Sequence, residues 1–198
     1  MESLALQEVS WMAAKPLVDD AQLIKQIGRG DRQALSELYA RYQRVLFSYL
    51  LQLTPDYGLA EELLQDTLVA VWKSAQGFEG RSSVLTWLIG VARRQAHNTL
   101  RQRRIPLANL SEVETMPASD LEPEEAALAG VARAELTEAF HRLAPVHREV
   151  LVLTFVQELS YQETATILDV PLGTVKSRLS NARRALRAIL DAKEETQR

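Results

Sequence analysis

The chain has 198 residues, with 23 Lys plus Arg against 26 Asp plus Glu for a formal net charge of -3, and it has no cysteine. That length suits one domain or two small ones, and without cysteine neither a disulfide framework nor a thiolate metal site is available. The slightly acidic total argues against a uniformly basic nucleic-acid coat, so any affinity for a polyanion has to come from local patches.

Residues 1–19 begin with acidic side chains and lack a long apolar run, so they read as an N-terminal extension rather than a signal peptide. No later window approaches an uninterrupted apolar span, and a cytoplasmic location is expected. A first helical domain is predicted over residues 20–106. It opens with a short helix from Val18 to Ile27. Ala34, Leu35, Leu38, Tyr42, Val45, Leu46, Tyr49 and Leu53 then recur at three- and four-residue spacings, which is the apolar face of a longer helix. The stretch TPDYG interrupts it. A second long helix follows from Leu59 to Ala75 and a third from Ser83 to Arg104, with Gly77 and Gly80 in the turn between them and Ser82 or Ser83 placed to cap the third.

The helix from Leu59 is more apolar than a surface helix requires. Leu59, Leu63 and Ala70 form one stripe, while Leu64, Leu68, Val71 and Trp72 form another. The second stripe is either enclosed by its own domain or is a partner surface in which Leu68 and Trp72 are anchors and Glu61, Gln65 and Asp66 set the polar register. In the next helix, Val84, Leu85, Leu88, Val91, Ala92 and Leu100 gather on one side, and Arg93, Arg94, His97, Arg101 and Arg104 gather near the other. That basic side is either a solvated face or one half of a nucleic-acid footprint. Trp87 is read first as core, with stacking against a separated DNA strand as the alternative.

Residues 105–132 carry Glu112, Glu114, Asp120, Glu122, Glu124 and Glu125 with no basic side chain, together with Pro106, Pro117 and Pro123. A flexible acidic linker is predicted over 107–125. A second helical domain is predicted over 126–192, with helices around Ala126 to Leu143, from Pro145, after Ser160 and after Pro171. Pro145 suits a first helical turn, and the run SYQE at 160–163 fits a capping box. The stretch LDVP breaks the chain briefly before the last helix, which gives helix, tight turn, helix.

In that last helix Val175, Leu179, Ala182, Leu186, Ile189 and Leu190 fall within about 60 degrees of one direction at 100 degrees per residue. Ser177, Ser180, Asn181 and Arg184 point the other way, and Lys176, Arg178, Arg183 and Arg187 line the flanks. Amide and hydroxyl groups that can reach base edges, beside cations that can meet phosphates, are what a recognition helix needs. His97, His141 and His147 lack the companions of a metal site, and no nucleophile-base arrangement or phosphate-binding glycine loop is present. No metal, cofactor or catalytic residue is therefore predicted.

In order along the chain, ALSELYARYQRVLFSYL, AEELLQDTLVAVWKSAQGFEG, SSVLTWLIGVARRQAHNTLRQRR, LAPVHREVLVLTFVQELSYQETATIL and DVPLGTVKSRLSNARRALRAIL resemble the regions of a bacterial RNA polymerase sigma factor of the extracytoplasmic-function class. The resemblance implies an all-α, non-enzymatic specificity subunit whose partners are core RNA polymerase, promoter DNA and an anti-sigma factor. It assigns core binding to Glu61, Gln65, Asp66, Leu68 and Trp72. It assigns the start-proximal element and strand opening to Phe78, Ser82, Ser83, Arg93, Arg94, His97 and Arg101, and the upstream element to Thr174, Lys176, Ser177, Arg178, Ser180, Asn181 and Arg184. An anti-sigma partner would further hold the chain near the inner face of the membrane. Arg94, Asn98 and Asn181 stand where this class commonly has Asn, Asp and Arg.

Overall fold

The computed structural model describes residues 19–54, 57–103 and 135–196, and among them helices and turns are the whole of the regular structure. Helix α1, Asp20–Gly28, buries Leu23, Ile24 and Ile27 along one face. Gly30 turns the chain at a φ of 90°, a region open to glycine, and Asp31 then caps α2, Arg32–Leu51, by accepting from the Gln33 and Ala34 amides. Asp20 at the start of α1 accepts from both Arg41 and Tyr42 of α2, which locks the two helices together.

Helix α3, Tyr57–Ser74, starts within the stretch expected to be turn and runs into a single 3-10 turn, Ala75–Gly77. Gln76 donates to the Gly28 carbonyl at 2.7 Å, and a Cβ at position 28 would lie 3.2 Å from the Gln76 amide nitrogen, so glycine is what lets α1 approach this turn. Helix α4, Val84–Gln102, is capped by Ser83, whose hydroxyl accepts from the Thr86 amide. Leu38, Leu46, Tyr49, Leu63, Val71, Leu88, Ile89 and Ala96 meet in the centre of these four helices.

In the second domain residues 135–141 are helical (α5). Helix α6, Pro145–Leu151, begins on its proline and widens at once into a π segment, Val152–Val156. The helix predicted from Pro145 thus starts at that residue, and its continuation takes π geometry. Helix α7, Tyr161–Leu168, carries the predicted capping box: Ser160 accepts from the Glu163 amide while the Glu163 carboxylate accepts from the Ser160 amide. Asp169 adopts a left-handed conformation and ends α7, and after Pro171 the chain enters α8, Leu172–Thr196. Val175, Leu179 and Ala182 of α8 are buried against Leu153, Ile167 and Leu168 in one core.

The predicted linker at 107–125, all but the last residue of the predicted N-terminal extension, and the start of the helix from Ala126 lie outside the described residues. No helix among the described residues is long and apolar enough to cross a membrane.

The two domains are in contact. Helix α7 lies along α4, and Glu163 accepts from the Ser83 hydroxyl at 3.0 Å and from the Thr86 hydroxyl at 2.8 Å. Further along α4, Glu149 of α6 accepts from Arg93 Nε at 2.8 Å and from Tyr49 Oη at 3.1 Å. The carboxylate that caps α7 therefore also ties the second domain to the first.

Candidate nucleic-acid interface

Helix α8 divides as its sequence predicts. Val175, Leu179 and Ala182 are buried, and Lys176, Ser177, Ser180, Asn181 and Arg184 are exposed. The start of the helix is set by the Thr174 amide, which donates to the Pro171 carbonyl at 2.8 Å. The Ser177 hydroxyl donates to the Thr174 carbonyl at 3.0 Å, and Thr174 itself is half-buried. Behind this row, the Arg183 guanidinium lies over the Phe155 ring, 5.2 Å from its centroid, which anchors one flank of the helix to the π segment. Arg178 stands apart from the exposed row: it is half-buried and turns toward the first domain.

The basic side of α4 is split. Arg94 and Arg101 are exposed, whereas Arg93 and His97 lie under the second domain. Arg93 pairs with Glu149, and His97 Nε2 sits 3.7 Å from the same carboxylate oxygen. Burial opposes ionisation of Glu149, but His97 and Arg93 more than offset it and hold the carboxyl below its ordinary value of 4.5. The same burial, with the Glu149 charge beside it, pushes the Tyr49 hydroxyl well above its usual value, so it stays a donor. Arg148 is the reverse case. Only 5% exposed, it has its guanidinium pKa lowered by burial, and its Nε and Nη1 have no hydrogen-bond partner among the described residues.

Between these faces, the loop carrying Phe78, Ser82 and Ser83 leads into α4. The Phe78 ring sits 5.2 Å from that of Trp87 with both rings half-buried, so Trp87 is packed with its own domain here. Ser83 is occupied by the cap and by Glu163, while Ser82 donates to the Ser83 carbonyl at 3.3 Å. On α3, Glu61, Gln65 and Asp66 are exposed, and Leu68 and Trp72 are half-buried, with Trp72 packed against the core. A groove between α2 and α3 runs beside them, lined by Tyr39, Arg44, Phe47, Tyr57, Glu61 and Gln65. Tyr57, 62% exposed, meets Phe47 edge-on at 4.9 Å, and Val69 is 51% exposed, so this side of α3 presents more apolar surface than the Leu68 and Trp72 pair alone.

Sequence reasoning missed Glu149, Glu163 in its second role, and Arg148. The capping box pointed to Glu163, but nothing local could show that a helix 80 residues earlier supplies two more donors.

The likeness to known proteins follows the same two-domain order. Residues 38–105 match the family model described as Sigma-70 region 2, and residues 133–186 match Sigma-70, region 4. The RNA polymerase sigma-H factor of Pseudomonas aeruginosa is 30% identical over 176 residues, which cover 84% of this chain and 91% of that protein. The ECF RNA polymerase sigma factor SigK of Mycobacterium bovis is 31% identical over 178 residues, covering 85% and 92%. Among solved structures, CnrH in complex with the cytosolic domain of CnrY superposes with a TM-score of 0.64 at 26% identity, covering 87% of this chain and 97% of CnrH. The sigma factor RpoE of Bartonella quintana, in complex with the anti-sigma factor NepR, gives 0.61 at 25% identity, covering 79% and 96%. The chain therefore belongs to the extracytoplasmic-function sigma factors, the non-catalytic subunits that bind core RNA polymerase and promoter DNA to initiate transcription.

Proposed function

We propose that the two domains divide promoter recognition between them, with residues 20–106 serving core polymerase and the start-proximal element and residues 126–192 serving the upstream element. The observation that carries this is the two-sided α8: a buried Val175, Leu179 and Ala182 face opposite an exposed row of Lys176, Ser177, Ser180, Asn181 and Arg184. Such a helix enters the major groove with its polar row toward base edges and its cations toward phosphates, while Thr174 and Arg178 flank the row. On the first domain, Glu61, Gln65 and Asp66 surround the half-buried Leu68 and Trp72 as the polymerase-facing surface. Phe78, Ser82, Ser83, Arg93, Arg94, His97 and Arg101 form the start-proximal surface that promotes strand separation.

The docked arrangement supports control of these surfaces by domain contact. Arg93, His97 and Ser83 are engaged by Glu149 and Glu163, so the start-proximal surface becomes complete when the second domain leaves α4. An anti-sigma protein that favours the docked form would hold the chain inactive. The similarity to CnrH and to RpoE, each solved with such a partner or a partner's cytosolic domain, supports this reading. A membrane-attached anti-sigma protein would keep the chain on the cytoplasmic side, near the inner face of the membrane.

Reconstituted transcription with sigma-free core polymerase and genomic promoter fragments tests the proposal. Initiation at discrete start sites is expected only when the chain is added, with permanganate-reactive thymines marking the opened segment. Core binding without discrete initiation would defeat it.

A further inference from the structure

Between the docked domains lies a partly open cavity of about 160 Å³, lined from the end of α2, α4, α6 with its π segment, α7 and α8. Its polar walls are Gln52, Arg93, His97, Arg148, Glu149 and Arg178, set among apolar side chains. Three arginines and one glutamate thus line the same cavity. That carboxylate is already engaged, accepting from Arg93 at 2.8 Å and from Tyr49 at 3.1 Å. Arg148 and Arg178 have no carboxylate within ion-pair distance among the described residues, and Arg148 is 5% exposed with Nε and Nη1 both buried and unpartnered. His97 Nε2 is a further buried atom without a hydrogen-bond partner.

A guanidinium cannot escape burial by losing its proton near neutral pH, so an unpaired one inside a protein calls for a counter-anion. Its planar fork matches the oxygens of a phosphate or similar oxyanion, and the apolar walls strengthen the attraction by lowering the local dielectric. The size decides between candidates. The volume corresponds to a few water molecules at about 30 Å³ each, which suits a phosphate ion but falls below the roughly 300 Å³ of ordinary ligand pockets. We propose that this interdomain cavity is a binding site for a small phosphate-class oxyanion, held chiefly by Arg148 with Arg178 beside it, and that the bound anion favours the docked form. The anion would join α6 and α8 of the second domain to α4 of the first, so anything that parts the domains also dissolves the site.

Inorganic phosphate titrated into the full chain, against chloride at matched ionic strength, is the direct probe. Saturable binding by calorimetry is expected, with a shift of the Arg148 Nε-H signal in nitrogen-proton correlation spectra of the wild-type protein. Arg148→Gln should weaken phosphate binding at least about tenfold, the loss expected for charge-assisted hydrogen bonds. Arg142→Gln, the same charge change outside the cavity, should leave it unaltered. Phosphate should also weaken binding to a promoter duplex beyond the chloride control. Absence of saturable binding, or equal affinity in Arg148→Gln, would overturn the proposal. A duplex that moves the Arg148 signal while free phosphate does not would overturn it too, by giving the site to the DNA backbone. If Arg148→Gln does not fold, the wild-type spectral titration decides the matter.

Discussion

Glu149 shows how one side chain can serve two surfaces. It is 9% exposed, and its charge survives burial because Tyr49, Arg93 and His97 converge on it. Burial opposes its charge, but His97 and Arg93 hold its carboxyl below 4.5, so its share of the docking energy is present above that ordinary value and is lost as pH falls through the lowered one. The distance between fluorophores placed on the two domains should therefore be short at neutral pH and lengthen as pH falls below the ordinary glutamate value. Glu149→Gln should lengthen it at neutral pH, and an unchanged distance would remove this carboxylate from the docking contact. The exposed side of α8 offers a second comparison. Arg184→Ala should weaken upstream DNA binding on every sequence and reduce the salt slope by about one. Asn181→Ala should cost about 1–3 kcal/mol on the preferred site while leaving the slope alone. Titrations at several salt concentrations distinguish the two, and identical behaviour would mean that both residues only meet phosphate.

Helices α8 and α3 were legible to different depths because their surroundings differ. The α8 face could be read from Val175, Leu179 and Ala182 since a single buried stripe at helical spacing has one interpretation, and the core closes on those residues. Leu179→Ala should destabilise the second domain by about 2–5 kcal/mol in denaturant melts, and a cost below about 1 kcal/mol would show that the site collapses around the gap. The two stripes of α3 were ambiguous, and tertiary packing settled part of the matter by burying Leu64 and Val71 while leaving Leu68 and Trp72 half-buried. Trp72→Ala should therefore impair polymerase binding more than isolated DNA binding, provided circular dichroism shows an intact fold; equal losses would make Trp72 a packing residue only. The π segment after α6 gave no sequence signal. Thr154 Oγ donates to the Val150 carbonyl at 2.7 Å, but a threonine bonded to its own helix is common in regular α-helices too.

For the molecule as a whole, the helical class, the order of elements, the capped turn before α7 and the polar row of α8 follow from neighbours close in the chain. Periodicity, capping and turn chemistry act over a few residues, so the sequence carries them openly. The docking of the second domain on α4 depends on pairs far apart: Tyr49 with Glu149, Arg93 with Glu149, Ser83 with Glu163. No local pattern distinguishes an arginine facing DNA from one facing a carboxylate 56 residues away, because both need only an exposed cation on a helix. The sequence alone settled that α4 carries a basic side. Which of its residues are free was decided by the fold, where burial makes the pairing of each charge a condition of bringing the two domains together.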